Sequence, residues 1–231
     1  MLVLALVGAS CTGSLQAAFL SYSGTLSGWG GSGDGLLLTA GGEWSRPNTI
    51  LGWVVDNETT PGKWHYEYTI SVPMGDVQCV IIETSDADPG PAFTEANLFS
   101  LSTDPPDWFN YLKIGTHSKW DNVNLPEDVY GIKLCADRDP LSLTISFDSD
   151  RPPVWGDFYA RSFLIKDPEG DYFNTLYNWG FMADDPLAPP SNGSINNHVL
   201  VPDSVVIPAP GALVLGMVGV FCSGFLRRWT T

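Results

Sequence analysis

The sequence predicts an all-β protein, an antiparallel β-sandwich of the jelly-roll or immunoglobulin-like kind with apolar segments at both termini. Short segments of alternating polar and apolar residues recur at intervals of roughly 10–20 residues, as in sandwiches and barrels. Stretches rich in Gly, Pro and Asp separate them. Outside the termini, no window keeps an apolar period of 3.6 residues over three turns, which argues against helices. The composition of 24 Gly, 18 Pro and 12% aromatic residues is typical of a secreted all-β domain.

The chain divides into three predicted parts. Residues 1–17 are apolar and end in small residues, the pattern of a secretory signal peptide. Residues 18–204 form the ectodomain, which is long enough to bury one substantial core. Residues 205–231 form a separate C-terminal segment. A protein organised in this way is expected to carry its ectodomain outside the cytoplasm.

Ten segments of the ectodomain are predicted to be strands. Residues 64–70 place three aromatic side chains and an isoleucine on one face, and residues 141–147 alternate without an error. Residues 49–55 and 77–83 are predicted to be more deeply buried. The other predicted strands are 19–26, 36–40, 96–101, 129–135, 157–166 and 198–201. The stretch 184–197 is rich in Pro, Asn and Ser and is predicted to be a long surface loop.

The ectodomain is strongly acidic. All 26 acidic residues but only 9 of the 11 basic residues lie in residues 18–204, which leaves 17 uncompensated negative charges. Such a surface repels phosphate backbones and anionic lipid head groups. We therefore expect no nucleic-acid partner, whereas Ca²⁺ is a reasonable ligand for so many carboxylates.

The C-terminal segment combines three features in a fixed order: a Pro-x-Pro motif, about fifteen uncharged residues, and two arginines. Fifteen helical residues span roughly 22 Å, less than the roughly 30 Å of a bilayer core, so residues 211–226 are predicted to be a short transmembrane helix. A basic end at 227–228 is typical of the cytoplasmic flank. The residues of the motif and its basic end are Pro208, Ala209, Pro210, Gly211, Arg227 and Arg228.

This segment resembles the sorting signal of the PEP-CTERM family, with Ala209 where the family usually has Glu. The resemblance implies an exosortase-like membrane enzyme as a processing partner, a membrane-held stage, and delivery to the cell envelope or extracellular matrix. Four ectodomain segments, 23–28, 64–73, 145–159 and 196–203, also resemble a recurrent β-sandwich ectodomain of PEP-CTERM proteins. That second resemblance implies the fold and carries no activity.

Two of the four cysteines, Cys79 and Cys135, lie in the ectodomain. In an oxidising compartment they can form a disulfide, which would close a loop of about 57 residues and contribute roughly 4 kcal/mol. The alternative is a free thiol, because Cys135 shares a strand face with Lys133 and is then exposed to solvent. The sequence leaves both alternatives open.

Catalytic motifs are absent from the sequence. The three histidines form no His-Glu-x-x-His pair, no Gly-x-Ser-x-Gly elbow occurs, and the spacing of Cys and His does not fit a zinc site. A glycoside hydrolase needs two carboxylates across a groove, but among 26 acids some pair meets that distance by chance. We therefore expect a protein that is not an enzyme.

Asp148 and Asp150 are the candidate Ca²⁺ ligands. Their Asp-Ser-Asp spacing supplies carboxylate oxygens, although it does not fit the twelve-residue calcium loop with its Gly and Glu. The alternative is that both residues end a strand and bind turn amides, with Asp150 paired to Arg151. No other cofactor is expected.

Nine tryptophans raise the possibility of sugar binding, because flat aromatic rings stack on pyranose rings. Trp53 and Trp64 lie on apolar strand faces and are predicted to be core residues. Trp29, Trp108 and Trp120 lie in segments rich in Gly, Pro or Asp and are the candidates for an exposed carbohydrate platform. Burial is the alternative for these three as well.

The function predicted from these observations is that of a secreted, surface-displayed structural or adhesive protein sorted by an exosortase-type system. The alternative is a carbohydrate-binding module, and a glycoside hydrolase is the less favoured third possibility. The expected partners are the membrane, through the C-terminal helix, an exosortase-like enzyme, and extracellular polysaccharide.

Overall fold

The computed structural model describes residues 18–28, 35–39, 43–44, 49–87, 90–138 and 140–203. These residues form an all-β protein with two short 3-10 helices, Glu95–Asn97 and Trp179–Met182. The strands are β1 (Ser21–Gly28), β2 (Leu36–Thr39), β3 (Thr49–Asp56), β4 (Trp64–Ser71), β5 (Cys79–Glu83), β6 (Leu98–Asp104), β7 (Tyr111–His117), β8 (Val129–Cys135), β9 (Ser142–Ser149), β10 (Pro153–Gly156), β11 (Phe158–Arg161), β12 (Thr175–Asn178) and β13 (Val199–Pro202).

The strands form three sheets, and neighbouring strands within each sheet are antiparallel. Sheet I has five strands in the order β1-β3-β4-β9-β6, and sheet II has six in the order β2-β12-β11-β5-β8-β7. The third sheet pairs β10 with β13. The inward side chains of all three sheets join in one apolar cluster. This arrangement is consistent with a β-sandwich.

Tyr68 connects the three sheets in the core. Its ring, in β4 of sheet I, lies 6.0 Å from the ring of Phe158 in β11 of sheet II. Its hydroxyl donates a 2.7 Å hydrogen bond to the carbonyl oxygen of Leu200 in β13. A buried tyrosine hydroxyl needs such a partner, since an unpaired polar group in an apolar core is unfavourable.

Each of the ten predicted strands overlaps a strand of the structure, and 129–135 has the predicted bounds. Three strands were not predicted: β7, β10 and β12. Segment 157–166 is strand only over Phe158–Arg161. The predicted loop 184–197 contains no strand or helix.

A second, smaller apolar cluster lies on the side of sheet II that faces away from the main core. It consists of Ile81, Leu125, Val129, Tyr159 and Phe181, with Tyr177 packed against it. Loop residues and the second 3-10 helix thus cover part of this face. A side chain on the outer face of sheet II can therefore be buried, contrary to the simple alternation rule.

The structure joins Cys79 and Cys135 in a disulfide. The two residues are directly opposite each other in β5 and β8, with a Cα–Cα distance of 4.1 Å. Of the two alternatives that the sequence leaves open, the structure thus contains the bridge. Cys79 is buried although it lies on the outer face of sheet II.

Two of the predicted segments lie outside the described residues: the signal peptide over 1–17 and the sorting motif with its transmembrane helix, Pro208 to Arg228. Within the described ranges, no helix has the length and apolar character needed to span a bilayer.

Candidate functional site

Asp157, Asp185 and His198 meet at one end of the two-stranded sheet. One potential ligand atom from each residue lies within 4.8 Å of the other two. Asp157 directly follows β10 and His198 directly precedes β13, and the register pairs Gly156 with Val199. The antiparallel pairing therefore places Asp157 and His198 next to each other. Asp185 comes from the loop that follows the second 3-10 helix.

The carboxylate of Asp157 is held in place by neighbouring polar groups. Its Oδ1 accepts a 2.7 Å hydrogen bond from Nδ2 of Asn178, and its side chain is only 7% exposed. Its backbone N–H donates a 2.7 Å bond to Oε2 of Glu83, the last residue of β5. Glu83 thereby adds a third carboxyl group to the neighbourhood of the site.

The imidazole of His198 is completely buried. Its Nδ1 lies 3.3 Å from the carbonyl oxygen of Ile195, which can only accept, so Nδ1 carries a proton. Its Nε2 lies 3.5 Å from Oδ1 of Asp185 and 3.8 Å from Oδ1 of Asp157. Among the residues that the structure describes, this nitrogen has no hydrogen-bond partner.

Two glycines allow the buried groups to approach so closely. A Cβ atom at Gly180 would lie 2.6 Å from Cε1 of His198 and 2.5 Å from the carbonyl oxygen of Asn196. A Cβ atom at Gly156 would lie 2.9 Å from Oε2 of Glu83. Real side chains do not tolerate such distances, so both positions require glycine for this arrangement of the site.

The electrostatics of the site favour neutral acids or a bound positive charge. Burial raises the pKa of Asp157 to about 7 and that of Asp185 to about 6, and the nearby negative charge of Glu127 adds to both shifts. Burial also raises the pKa of Glu83 well above its usual value, and the charges of Asp185 and Asp157 add to this effect. Negative charges confined together in a partly dry space disfavour ionisation.

Two kinds of chemistry fit this geometry. The carboxyl groups can share protons, or the two aspartates and the histidine can ligate a cation. The side chain of Asp185 is 46% exposed, so the site is reachable from solvent. Groups with strongly shifted pKa values are frequent at functional sites, and this cluster is therefore the candidate functional site.

Of the three tryptophans predicted to form an exposed carbohydrate platform, the structure describes Trp108 and Trp120, and their exposure differs. Trp108 is 1% exposed and belongs to the main core, so its prediction as a platform residue is wrong. The reason is that the chain after β6 turns inward, with the backbone N–H of Trp108 bonded to Oγ1 of Thr103. Trp120 is 86% exposed, and Trp29 lies outside the described residues.

The two candidate Ca²⁺ ligands are engaged by different protein donors. Asp148 is buried and accepts hydrogen bonds from Nδ1 of His65 at 2.8 Å and from the hydroxyl of Thr60 at 3.0 Å. Although burial acts to raise it, these bonds hold the pKa of Asp148 below its usual value. Asp150 is exposed and accepts a 2.9 Å bond from Nδ2 of Asn97.

The cluster of Asp157, Asp185 and His198 was not predicted from the sequence. Metal-binding motifs place their ligands at short spacing, whereas these residues are 28 and 13 positions apart along the chain. The useful signal was positional: Asp157 and His198 each stand at the start of a predicted strand. Asp157 and His198 become neighbours because β10 pairs with β13.

A shallow groove of about 430 Å³ lies on the outer face of sheet I, where Gly52 leaves space between its neighbours. Ser23, Thr25 and Thr69 supply hydroxyl groups to its lining, and Glu67 supplies a carboxylate. Such a lining can exchange hydrogen bonds with a ligand rich in hydroxyl groups.

Comparisons of the chain with protein-family models, with curated proteins and with solved structures found no significant match.

Proposed function

We propose that this protein acts outside the cytoplasm as a structural or adhesive protein of the cell envelope or extracellular matrix. The single observation that carries the proposal is the disulfide between Cys79 and Cys135. Disulfides persist in oxidising compartments and are rare in the reducing cytosol. The bridge joins two neighbouring strands of sheet II and so reinforces the ectodomain.

Charge and architecture support the same proposal. The excess of 17 negative charges in residues 18–204 favours solubility and disfavours binding to anionic polymers. Antiparallel sheets around one core are an arrangement common among cell-surface domains. We also propose that the fold is a jelly-roll or Ig-like sandwich, that a signal peptide is cleaved from the chain, and that an exosortase-like enzyme sorts the tail.

A reporter fusion tests the sorting claim. Residues 202–231 are fused to a secreted reporter and expressed in a host that contains an exosortase. We expect a membrane-held form of the reporter, followed by processing. The matched control lacks residues 211–226 and should be released directly. Release of the complete fusion without a membrane-held stage would refute the sorting claim.

The adhesive role has its own test. Cells that display the full chain are compared with cells that lack it for retention on surfaces coated with extracellular polymer. Greater retention of the displaying cells is expected. Equal retention would leave export intact and reject adhesion as the role.

Carbohydrate binding is the second candidate function, and two observations favour it. Trp120 exposes 86% of its surface, and the groove around Gly52 presents hydroxyl groups and the carboxylate of Glu67. On a glycan array, Glu67→Gln should reduce binding at least fivefold if the ligand lies in the groove, and Trp120→Ala should do so if the ligand lies on the exposed ring. Leu187→Ala, a change at another fully exposed apolar side chain, is the control. An array on which the parent protein binds no glycan rejects this candidate.

We also propose that the protein is not a hydrolase. The acids brought together at Asp157 and Asp185 contact a buried histidine, which differs from a carboxylate pair flanking an open groove. Incubation with a panel of polysaccharides should release no reducing ends. Turnover that disappears in Asp157→Asn would overturn this proposal.

A further inference from the structure

We propose that Asp157, Asp185 and His198 bind a divalent transition-metal ion of the Zn²⁺ class. This inference goes beyond the proposed extracellular role and does not depend on it. It also differs from the Ca²⁺ site expected at Asp148 and Asp150, because the ligands lie elsewhere and one of them is nitrogen.

The buried Nε2 nitrogen of His198 supports a cation site. Its Nδ1 proton is directed at the carbonyl of Ile195, so in the neutral ring Nε2 carries a lone pair. That lone pair faces the oxygens of Asp185 and Asp157, which are acceptors as well. Three acceptors that face one another are unfavourable unless a proton or a cation lies among them.

The distances between the potential ligand atoms also fit a metal site. The separations of 3.5 Å and 3.8 Å from Nε2 to the carboxylate oxygens exceed the range of good hydrogen bonds. They lie near the spacing of ligands around a tetrahedral metal, which is ~3.4 Å when metal–ligand distances are about 2.1 Å. The widest separation in the cluster is at most 4.8 Å. Because Asp185 is on an exposed loop, a shift on the order of 1 Å would complete the set.

Hydrogen bonds to neighbouring groups hold each of the two buried ligands in place. Asn178 donates to Asp157, and the carbonyl of Ile195 holds the protonated nitrogen of His198. Hydrogen bonds of this kind fix the orientation of ligands in metal sites. Glu83 accepts a hydrogen bond from the backbone N–H of Asp157 and so helps to fix the position of that ligand.

The ligand chemistry selects the class of metal. Ca²⁺ and Mg²⁺ prefer oxygen ligands only, whereas imidazole together with carboxylates suits Zn²⁺. Three protein ligands leave the fourth coordination position of a tetrahedral metal free. Water can reach this position because the side chain of Asp185 is partly exposed.

Metal titration of the purified full chain tests the proposal. The protein is treated with EDTA, dialysed, and titrated with Zn²⁺ and in parallel with Ca²⁺ at neutral pH. Calorimetry and elemental analysis are expected to give one Zn²⁺ per chain, bound at least tenfold more tightly than Ca²⁺. Co²⁺ at the same site should give the visible absorption of a tetrahedral complex.

Two variants on one loop make the test specific. Asp185→Asn removes a ligand from an exposed position and should weaken Zn²⁺ binding at least tenfold without unfolding the protein. Asp184→Asn makes the same charge change at the exposed adjacent residue and should bind like the parent. If the parent binds no Zn²⁺, or Asp185→Asn binds it equally well, the proposal is wrong. Neither result would bear on export of the protein.

Discussion

At the scale of single residues, position on a strand face decides less than what covers that face. Ile81 is on the outer face of sheet II and yet is buried, because loops and a 3-10 helix pack over part of that face. Trp108, from a Pro- and Asp-rich turn, inserts into the main core. The sequence predicts which side of a strand a residue occupies, but it does not reveal which loops fold back over it.

The contrast between Trp108 and Trp120 can be measured directly. Trp108→Ala removes a fully buried indole and should lower the free energy of unfolding by about 3–5 kcal/mol. Trp120→Ala removes an 86% exposed ring and should change it by less than about 0.5 kcal/mol. Urea denaturation of both variants is the measurement. Similar losses for the two would contradict the burial described here.

Gly180 should not tolerate a methyl group. In Gly180→Ala the new Cβ would meet the ring of His198 at 2.6 Å, so the ring has to move, and we expect a loss of about 1–3 kcal/mol. Gly52→Ala is the matched control, because its Cβ would lie 3.9 Å from the nearest atom, an ordinary contact. Thermal unfolding of the two variants distinguishes them. Equal stability would mean that the His198 ring is not packed against Gly180.

At the scale of strands, alternating or continuously apolar segments predicted ten of the thirteen described strands, and the reasons for the three omissions are physical. β10 and β12 have only four residues each, and β10 begins at a proline. β7 contains Gly115, whose φ of 148° departs from ordinary strand geometry. Local pattern is weak in segments this short or irregular, and their neighbours stabilise them instead.

Strand pairing was not predictable from local pattern, and the candidate site depends on it. Asp157 and His198 become neighbours only because β10 pairs with β13 across 42 intervening residues. Asp185 then reaches them from a loop without regular structure. The residue types of the site were visible in the sequence, but their proximity was not.

The bridge between β5 and β8 should contribute strongly to stability. The double variant Cys79→Ala/Cys135→Ala is expected to lose about 4 kcal/mol of unfolding free energy, because the unfolded chain regains the freedom of a 56-residue separation. Denaturant unfolding of the variant measures the loss. The parent protein under reducing conditions should show a loss of similar size, and an unchanged midpoint in both cases would contradict this account.

At the scale of the whole molecule, the distribution of shifted carboxyl groups sets the dependence of stability on pH. Asp56 and Asp148 are hydrogen-bonded, and their pKa values are lowered although burial opposes this. Asp157 and Asp185 are desolvated, and their pKa values are raised to about 7 and about 6. The first pair stabilises the protein above the usual carboxyl pKa, and the second pair stabilises it below neutral pH.

The metal-free protein should therefore lose stability as pH rises from about 4 to about 7. In this range the folded state binds more protons at Asp157 than the unfolded chain, so the free energy of unfolding falls, by on the order of 2–4 kcal/mol. Below about pH 4, protonation of Asp56 and Asp148 removes their contribution. Unfolding in EDTA at several pH values is the measurement. In Asp157→Asn the fall between pH 4 and 7 should be smaller but not absent, because the pKa values of Glu83 and Asp185 are raised as well, and an identical slope would contradict the assignment.

The pairing of β10 with β13 also has a mechanical consequence. β13 is the last strand that the structure describes, so tension applied through the chain beyond Asp203 would reach its four residue pairs before the other described strands. Those pairs would open one after another, starting at Pro202. The hydrogen bond from the Tyr68 hydroxyl to the Leu200 carbonyl would oppose the opening partway along the strand. His198 stands at the far end of this path. A cation bound there would hold the ends of the two strands together. The force needed to separate the strands would then depend on the concentration of the metal ion around the protein.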